Sequence, residues 1–165
     1  MEQRVNVKEK LIVHILDEDG NVVDTREFKP PSTPLEKIAS RLGILKRHNT
    51  VNNSGLNAVA KRWVGITQDP VTWIAARISS STPYPTAVGT WQFRSADVSV
   101  TGDKAYVRNP NYVWGGGPTS VYDTIGTATK NSTNAIVSYI DGVDIVLKSL
   151  GDSLWAEIEF DFDAS

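Results

Sequence analysis

The side chains best spaced for chemistry in this sequence are four carboxylates near its C-terminus, Glu157, Glu159, Asp161 and Asp163, each separated from the next by one residue. On a β-strand every second side chain shares a face, so neighbours in this series stand about 6 to 7 Å apart. That spacing suits the paired carboxylates of a glycosidase. It would also supply one side of a calcium site, which needs several oxygen ligands. The plainer reading is a solvated sheet face neutralised by cross-strand cations, with Lys148 as an example, and this is the reading adopted.

Other catalytic chemistry has little to draw on. The two histidines, His14 and His48, lie in a strand-like run and before an Asn-rich turn, without metal-ligand spacing. Both read as surface hydrogen-bonding residues. Cysteine is absent, which removes thiolate nucleophiles, disulfides and cysteine-ligated metal centres. No G-x-S-x-G elbow accompanies the serines. The triplet Gly115-Gly116-Gly117, followed by Pro118, has neither dinucleotide-binding nor P-loop spacing and reads as a loop. No catalytic residue, metal or cofactor is therefore assigned.

Binding has more candidates. Trp63, Trp73, Trp91, Trp114 and Trp155 make five tryptophans in 165 residues, and exposed aromatic rings are common anchors for proteins and sugars. Trp63 fits the core face of a helix. Trp155 has the opposite parity to the apolar residues of its strand, and Trp114 adjoins the glycine triplet, so these two are the interface candidates. Arg41 and Arg47, with Lys37, Lys46 and His48, form a small basic patch suited to an acidic partner surface.

The elements that must carry these residues are mostly strands. A chain of this length, 40% hydrophobic and 22% charged, has the composition of one globular domain with a real core, and residues 1–165 are read as such. Its formal charge of −2 offers no global attraction to nucleic acid or an anionic membrane. The first residues lack a signal-peptide apolar region, and no run approaches a bilayer span, so synthesis without a secretory signal is expected.

Leu11, Val13 and Ile15 alternate ahead of the turn Asp19-Gly20-Asn21, which predicts a hairpin over 10–28. A helical segment over 33–65 follows. Thr33-Pro34-Leu35-Glu36 has capping-box order, and Leu35, Ile38, Leu42 and Leu45 recur at helical spacing. Leu56, Val59, Ala60, Trp63 and Val64 mark a second helix that stops at Gly65, with a polar turn from His48 to Gly55 between the two. The two helices should cover an open end or edge of the β structure. Residues 71–163 read as short antiparallel strands between Gly- and Pro-containing turns, the clearest being Leu154 to Phe162. The fold class is thus mainly β, an antiparallel sandwich with jelly-roll-like character and two short helices in its N-terminal half.

Three segments in order carry a resemblance: Asp19-Gly20-Asn21-Val22-Val23-Asp24, then His48-Asn49 with Asn53-Ser54-Gly55-Leu56, then Gly151-Asp152-Ser153-Leu154-Trp155-Ala156-Glu157-Ile158. Together they resemble the small β-sandwich structural proteins of tailed-phage heads and tails. The resemblance implies a non-enzymatic virion protein, foremost a decoration (cement) protein on the capsid exterior. Its partner would be the major capsid protein, its own state a homotrimer, and its place of synthesis the host cytoplasm. A tail-tip or fibre-base component is the alternative within that resemblance. From the residues alone, a carbohydrate-binding module stacking sugars on Trp91, Trp114 and Trp155 is the competitor. The helix between Pro30 and Arg47 departs from the phage pattern and could serve as a docking element.

Overall fold

Alternation of apolar and polar residues along the longest strands fixes which side chains turn inward, and two antiparallel sheets close over them. The structure is a computed structural model and describes residues 5–29, 33–42, 49–51, 53–80, 89–115 and 120–164. Its elements are β1 (Val5–Leu16), β2 (Val22–Phe28), α1 (Pro34–Arg41), β3 (Asn49–Val51), α2 (Asn53–Trp63), β4 (Trp73–Ser80), β5 (Trp91–Ser95), β6 (Asp97–Thr101), β7 (Lys104–Arg108), β8 (Trp114–Gly115), β9 (Ser120–Ala128), β10 (Ile136–Leu147) and β11 (Ser153–Ala164). The first sheet has the order β2-β1-β11-β7-β6, with β8 continuing the β7 lane against β11; the second has the order β3-β10-β9-β4-β5. This is the expected β-sandwich with two short helices. Jelly-roll connectivity is not established by the strand order.

The core lies between the sheets. Leu11, Val13 and Ile15 of β1 and Leu154, Ala156 and Ile158 of β11 meet Ile74, Ile125, Ile140 and Ile145 of the second sheet. The long pairing of β1 with β11, from Val5 opposite Ala164 to Leu16 opposite Ser153, ties the two ends of the chain into the middle of the first sheet. β9 and β10 pack so closely that a Cβ at Gly126 would strike the Ser138 carbonyl oxygen and lie 2.9 Å from the Tyr139 Cβ. Gly126→Ala should therefore destabilise the domain by about 1–3 kcal/mol, as overpacking does, read as a lower urea midpoint.

The two ends of the sandwich differ. At one, the turn after β1 and the 148–152 turn before β11 lie together, with Gly151 against Glu18. The β1–β2 turn is held by Asp17, whose carboxylate accepts hydrogen bonds from the backbone N–H groups of Asp19 (3.0 Å) and Asn21 (2.8 Å), while Gly20 takes φ +83°. These bonds, Asn21's foremost, hold the Asp17 carboxyl below its usual range. At the far end β3 runs antiparallel to β10 with Val51 opposite Ser138, and β4 starts with Trp73 opposite Ala128. α2 and the residues after it thus carry the chain from edge strand β3 to inner strand β4 at the far end.

β3 corrects the sequence reading, which has a turn where this strand stands. Its three residues carry no alternation of their own, and pairing with Ser138, Tyr139 and Ile140 makes them a strand. The capping box is present as expected. Thr33 N–H donates to Glu36 Oε2 (3.0 Å), and Glu36 N–H donates to Thr33 Oγ1 (3.2 Å). Gly65 (φ +76°) closes α2, its N–H donating to the Arg62 carbonyl at 3.1 Å and that of Ile66 to the Lys61 carbonyl at 2.8 Å.

Candidate docking surfaces

Both helices have apolar stripes, and the described side chains of each are exposed; Leu45 and the Leu56 side chain lie outside the described residues. Leu35 is 76% exposed and Trp63 89%, while Ile38, Leu42, Val59, Val64 and Ile66 are exposed as well. α1 makes only slight contact with other elements, and α2 touches mainly β10 and β3. The placement of Trp63 in a helix core face is therefore corrected: periodicity marks a stripe without saying whose core it enters. Burying a large apolar side chain is worth about 1.5–3 kcal/mol, so side chains of this size left in water are the candidates for a contact surface.

Cations flank the stripe. Lys37 and Arg41 on α1 and Arg62 on α2 are exposed, and none makes a salt bridge within the described residues. Arg41 stands in the last turn of α1, where the helix dipole favours a cation. Arg47, its proposed companion, lies outside the described residues, as do Lys46 and His48.

The two interface tryptophans part company. Trp114 is 0% exposed, and its Nε1–H donates to the Gln92 carbonyl at 3.2 Å. Around it Arg94 Nε donates to the Val113 carbonyl (3.2 Å) and the Tyr122 hydroxyl to the Gly115 carbonyl (2.7 Å), so β8 is pinned to the second sheet. Burial pushes the Tyr122 hydroxyl up to about 12, which keeps it a donor. Trp114 is thus a core residue, and its assignment to an interface is corrected. The two-residue strand β8 is too short to show a period. Trp155 does lie on the outer face of the first sheet, half-buried, stacked on His14 with centroids 4.0 Å apart and ring planes at 20°. His14 in turn shares a hydrogen bond with Thr25 Oγ1 (3.3 Å); burial lowers its pKa, opposed by the Glu157 charge.

No shared sugar platform forms from the three stacking candidates. Trp91 sits on the outer face of the second sheet with the Arg77 guanidinium 5.9 Å from its ring centre, Arg77 itself being held by Asp123 through bonds of 3.0 and 2.9 Å. Trp155 is on the opposite outer face and Trp114 is between the sheets.

Among the described residues the acidic ladder is neutralised from both sides, though not by Lys148; the Asp163 side chain lies outside them. Glu159 is bridged by Lys104 (3.0 Å) and Lys10 (3.4 Å), Asp161 by Lys104 (3.7 Å), and Glu157 by Arg108 (3.9 Å). The Lys104 ammonium holds the Glu159 carboxyl below its ordinary range, so it carries no proton to donate at neutral pH. Among the described residues no group of three or more His, Asp or Glu side chains is placed to hold a metal ion, and no helix is long and apolar enough to cross a membrane.

One acidic residue went unread in the sequence. Glu9 shares the inward parity of Leu11 and Val13, is 1% exposed, and faces the second sheet, where Ser138 and Thr127 share a 2.7 Å hydroxyl bond. The Ser138 hydroxyl is near enough to favour the ionised carboxylate slightly, but no hydrogen bond of good geometry reaches either Glu9 oxygen among the described residues. Desolvation therefore prevails and raises its pKa from 4.5 to about 8. Extending the alternation of Leu11, Val13 and Ile15 back by one step would have placed Glu9 inward.

No protein-family model matches the chain, and no curated protein or solved structure matches it significantly.

Proposed function

We propose that this chain is a non-enzymatic structural protein that works by docking on protein surfaces, and that it decorates the head of a tailed-phage particle. In this reading it needs no cofactor, is made in the host cytoplasm, and binds the major capsid protein on the capsid exterior, across subunit boundaries. The carrying observation is the helical arm between β2 and β4, the two helices whose apolar residues Leu35 and Ile38 on α1 and Val59 and Trp63 on α2 the sandwich leaves in water. The phage-head assignment rests on the segment resemblance. Contacts added across existing boundaries stabilise the assembled shell by mass action, since the protein binds the assembled state and not free subunits.

Light scattering followed by co-sedimentation with undecorated tailed-phage capsids tests this. A trimer that pellets with shells is expected, with Trp63→Ser reducing pelleting by about tenfold or more, as loss of an aromatic anchor does, at an unchanged urea midpoint. A monomer that ignores shells, and whose tryptophan fluorescence is quenched by glycans, would replace the decoration reading with a sugar-binding one.

A further inference from the structure

We propose that the partner of the helical arm is a second copy of this chain, gripped at the opposite end of the sandwich, so that copies join head to tail. The inference rests on the reading of the arm as a docking element and deepens it: the arm joins copies of this chain, and it is the assembly so formed that meets the shell. The receiving surface is the end formed by the β1–β2 turn and the 148–152 turn. There Leu150 is 71% exposed and Val23 is exposed on the neighbouring edge strand, giving the apolar stripe of the arm an apolar counterpart.

Charge decides the orientation. Exposed Glu18 and Asp19 belong to the first of these turns and half-buried Asp152 to the second, the turn of Leu150, with Lys148 as its cation; none of the three carboxylates has a salt bridge within the described residues. The helices of the arm carry Lys37 and Arg41 beside one acid, Glu36, on α1 and Lys61 and Arg62 on α2, a net positive set. Basic arm against acidic end is attractive, whereas arm against arm sets like charges together, which costs several kcal/mol at an interface. The receiving end is also preorganised, because the Asp17 carboxylate and two backbone bonds, Asp17 N–H to the Asn21 carbonyl (2.9 Å) and Gly20 N–H to the Asp17 carbonyl (3.0 Å), hold its turn before any partner arrives.

Because the arm and the receiving end are two different surfaces, the contact is heterologous. It closes into a ring where the rotation between copies permits, and a three-membered ring would be the trimer.

The test uses two full-length variants with substitutions at exposed positions, each checked for an unchanged urea midpoint. The arm variant is Ile38→Ser with Trp63→Ser; the end variant is Leu150→Ser with Asp19→Lys. Wild type is expected to show an average mass above monomer by light scattering at tens of micromolar protein, decreasing with added salt. Each variant alone should remain monomeric, with self-association weakened about tenfold or more. An equimolar mixture should form a dimer and nothing larger, since each pair retains one intact arm and one intact end. An end variant that assembles like wild type would overturn the proposal by showing that this end is not the receiver. A wild type that stays monomeric at every concentration would overturn it too. In either case pelleting with capsids, and its loss in Trp63→Ser, decides separately whether the arm is a docking element.

Discussion

Replacing Glu9 with Gln or Leu is expected to stabilise the domain at pH 8 and to flatten the dependence of its stability on pH between about 5 and 8. The buried carboxyl has a pKa raised from 4.5 to about 8 by desolvation, while the unfolded chain ionises near the ordinary value. Below pH 4.5 both states are protonated and the group is neutral in the balance. As pH rises from there the unfolded chain releases a proton that the folded chain retains, so stability declines, and above about 8 the full penalty is present. The shift corresponds to about 5 kcal/mol at the alkaline limit, an order-of-magnitude figure. Leu removes the buried polar group altogether and should gain more than Gln, which leaves an amide in the same place. Glu159, held below its ordinary value by Lys104, has the opposite sign: its contribution is present above its unfolded pKa and is lost as pH falls. The wild type should therefore be most stable in the mildly acidic range. Urea titrations of wild type, Glu9→Gln and Glu9→Leu at pH 5, 6.5 and 8 check this; equal slopes in all three would remove Glu9 as the source.

The legible parts of the molecule are those where one local rule acts alone. Strict alternation from Leu154 to Phe162 set the inner face of β11, and the Thr33–Glu36 capping box formed with both of its hydrogen bonds. Gly20 and Gly65 took the positive φ their turns require. What was illegible depends on distant partners. β3 exists because β10 offers an edge, and Trp114 is buried because Gln92 of β5 and Tyr122 of β9, on the other sheet, converge on β8. Glu9 was hidden by its charged neighbours Lys8 and Lys10, which make the start of β1 resemble a solvated segment. Trp63 shows a further limit. An apolar helical stripe is the same pattern whether it enters its own core or another protein's, so its exposure could be learned only from the fold.

Trp114→Ala is expected to unfold or strongly destabilise the domain, whereas Trp155→Ala should leave it folded, and the contrast follows from where each ring lies. Trp114 fills the core beside Leu154, its cross-strand partner, and its ring N–H is satisfied by Gln92. Removing it leaves a cavity the size of an indole and an orphaned carbonyl on β5, a change of the kind that costs about 3–5 kcal/mol in buried aromatic truncations. It also loosens the local bond network through which β8, on the first sheet, reaches β5 and β9 on the second. Trp114→Phe keeps most of the volume and should recover most of that loss, less the hydrogen bond, worth about 1 kcal/mol. Trp155 lies on the half-buried outer face, and its stack on His14 is worth about 0.5–1.5 kcal/mol beyond area burial. Urea unfolding of the three variants separates these roles. A Trp114→Ala protein with a wild-type midpoint would mean that the backbone pairing with Leu154 and Ser153, together with the Tyr122 and Arg94 hydrogen bonds, holds β8 and closes the sandwich at that edge without the indole.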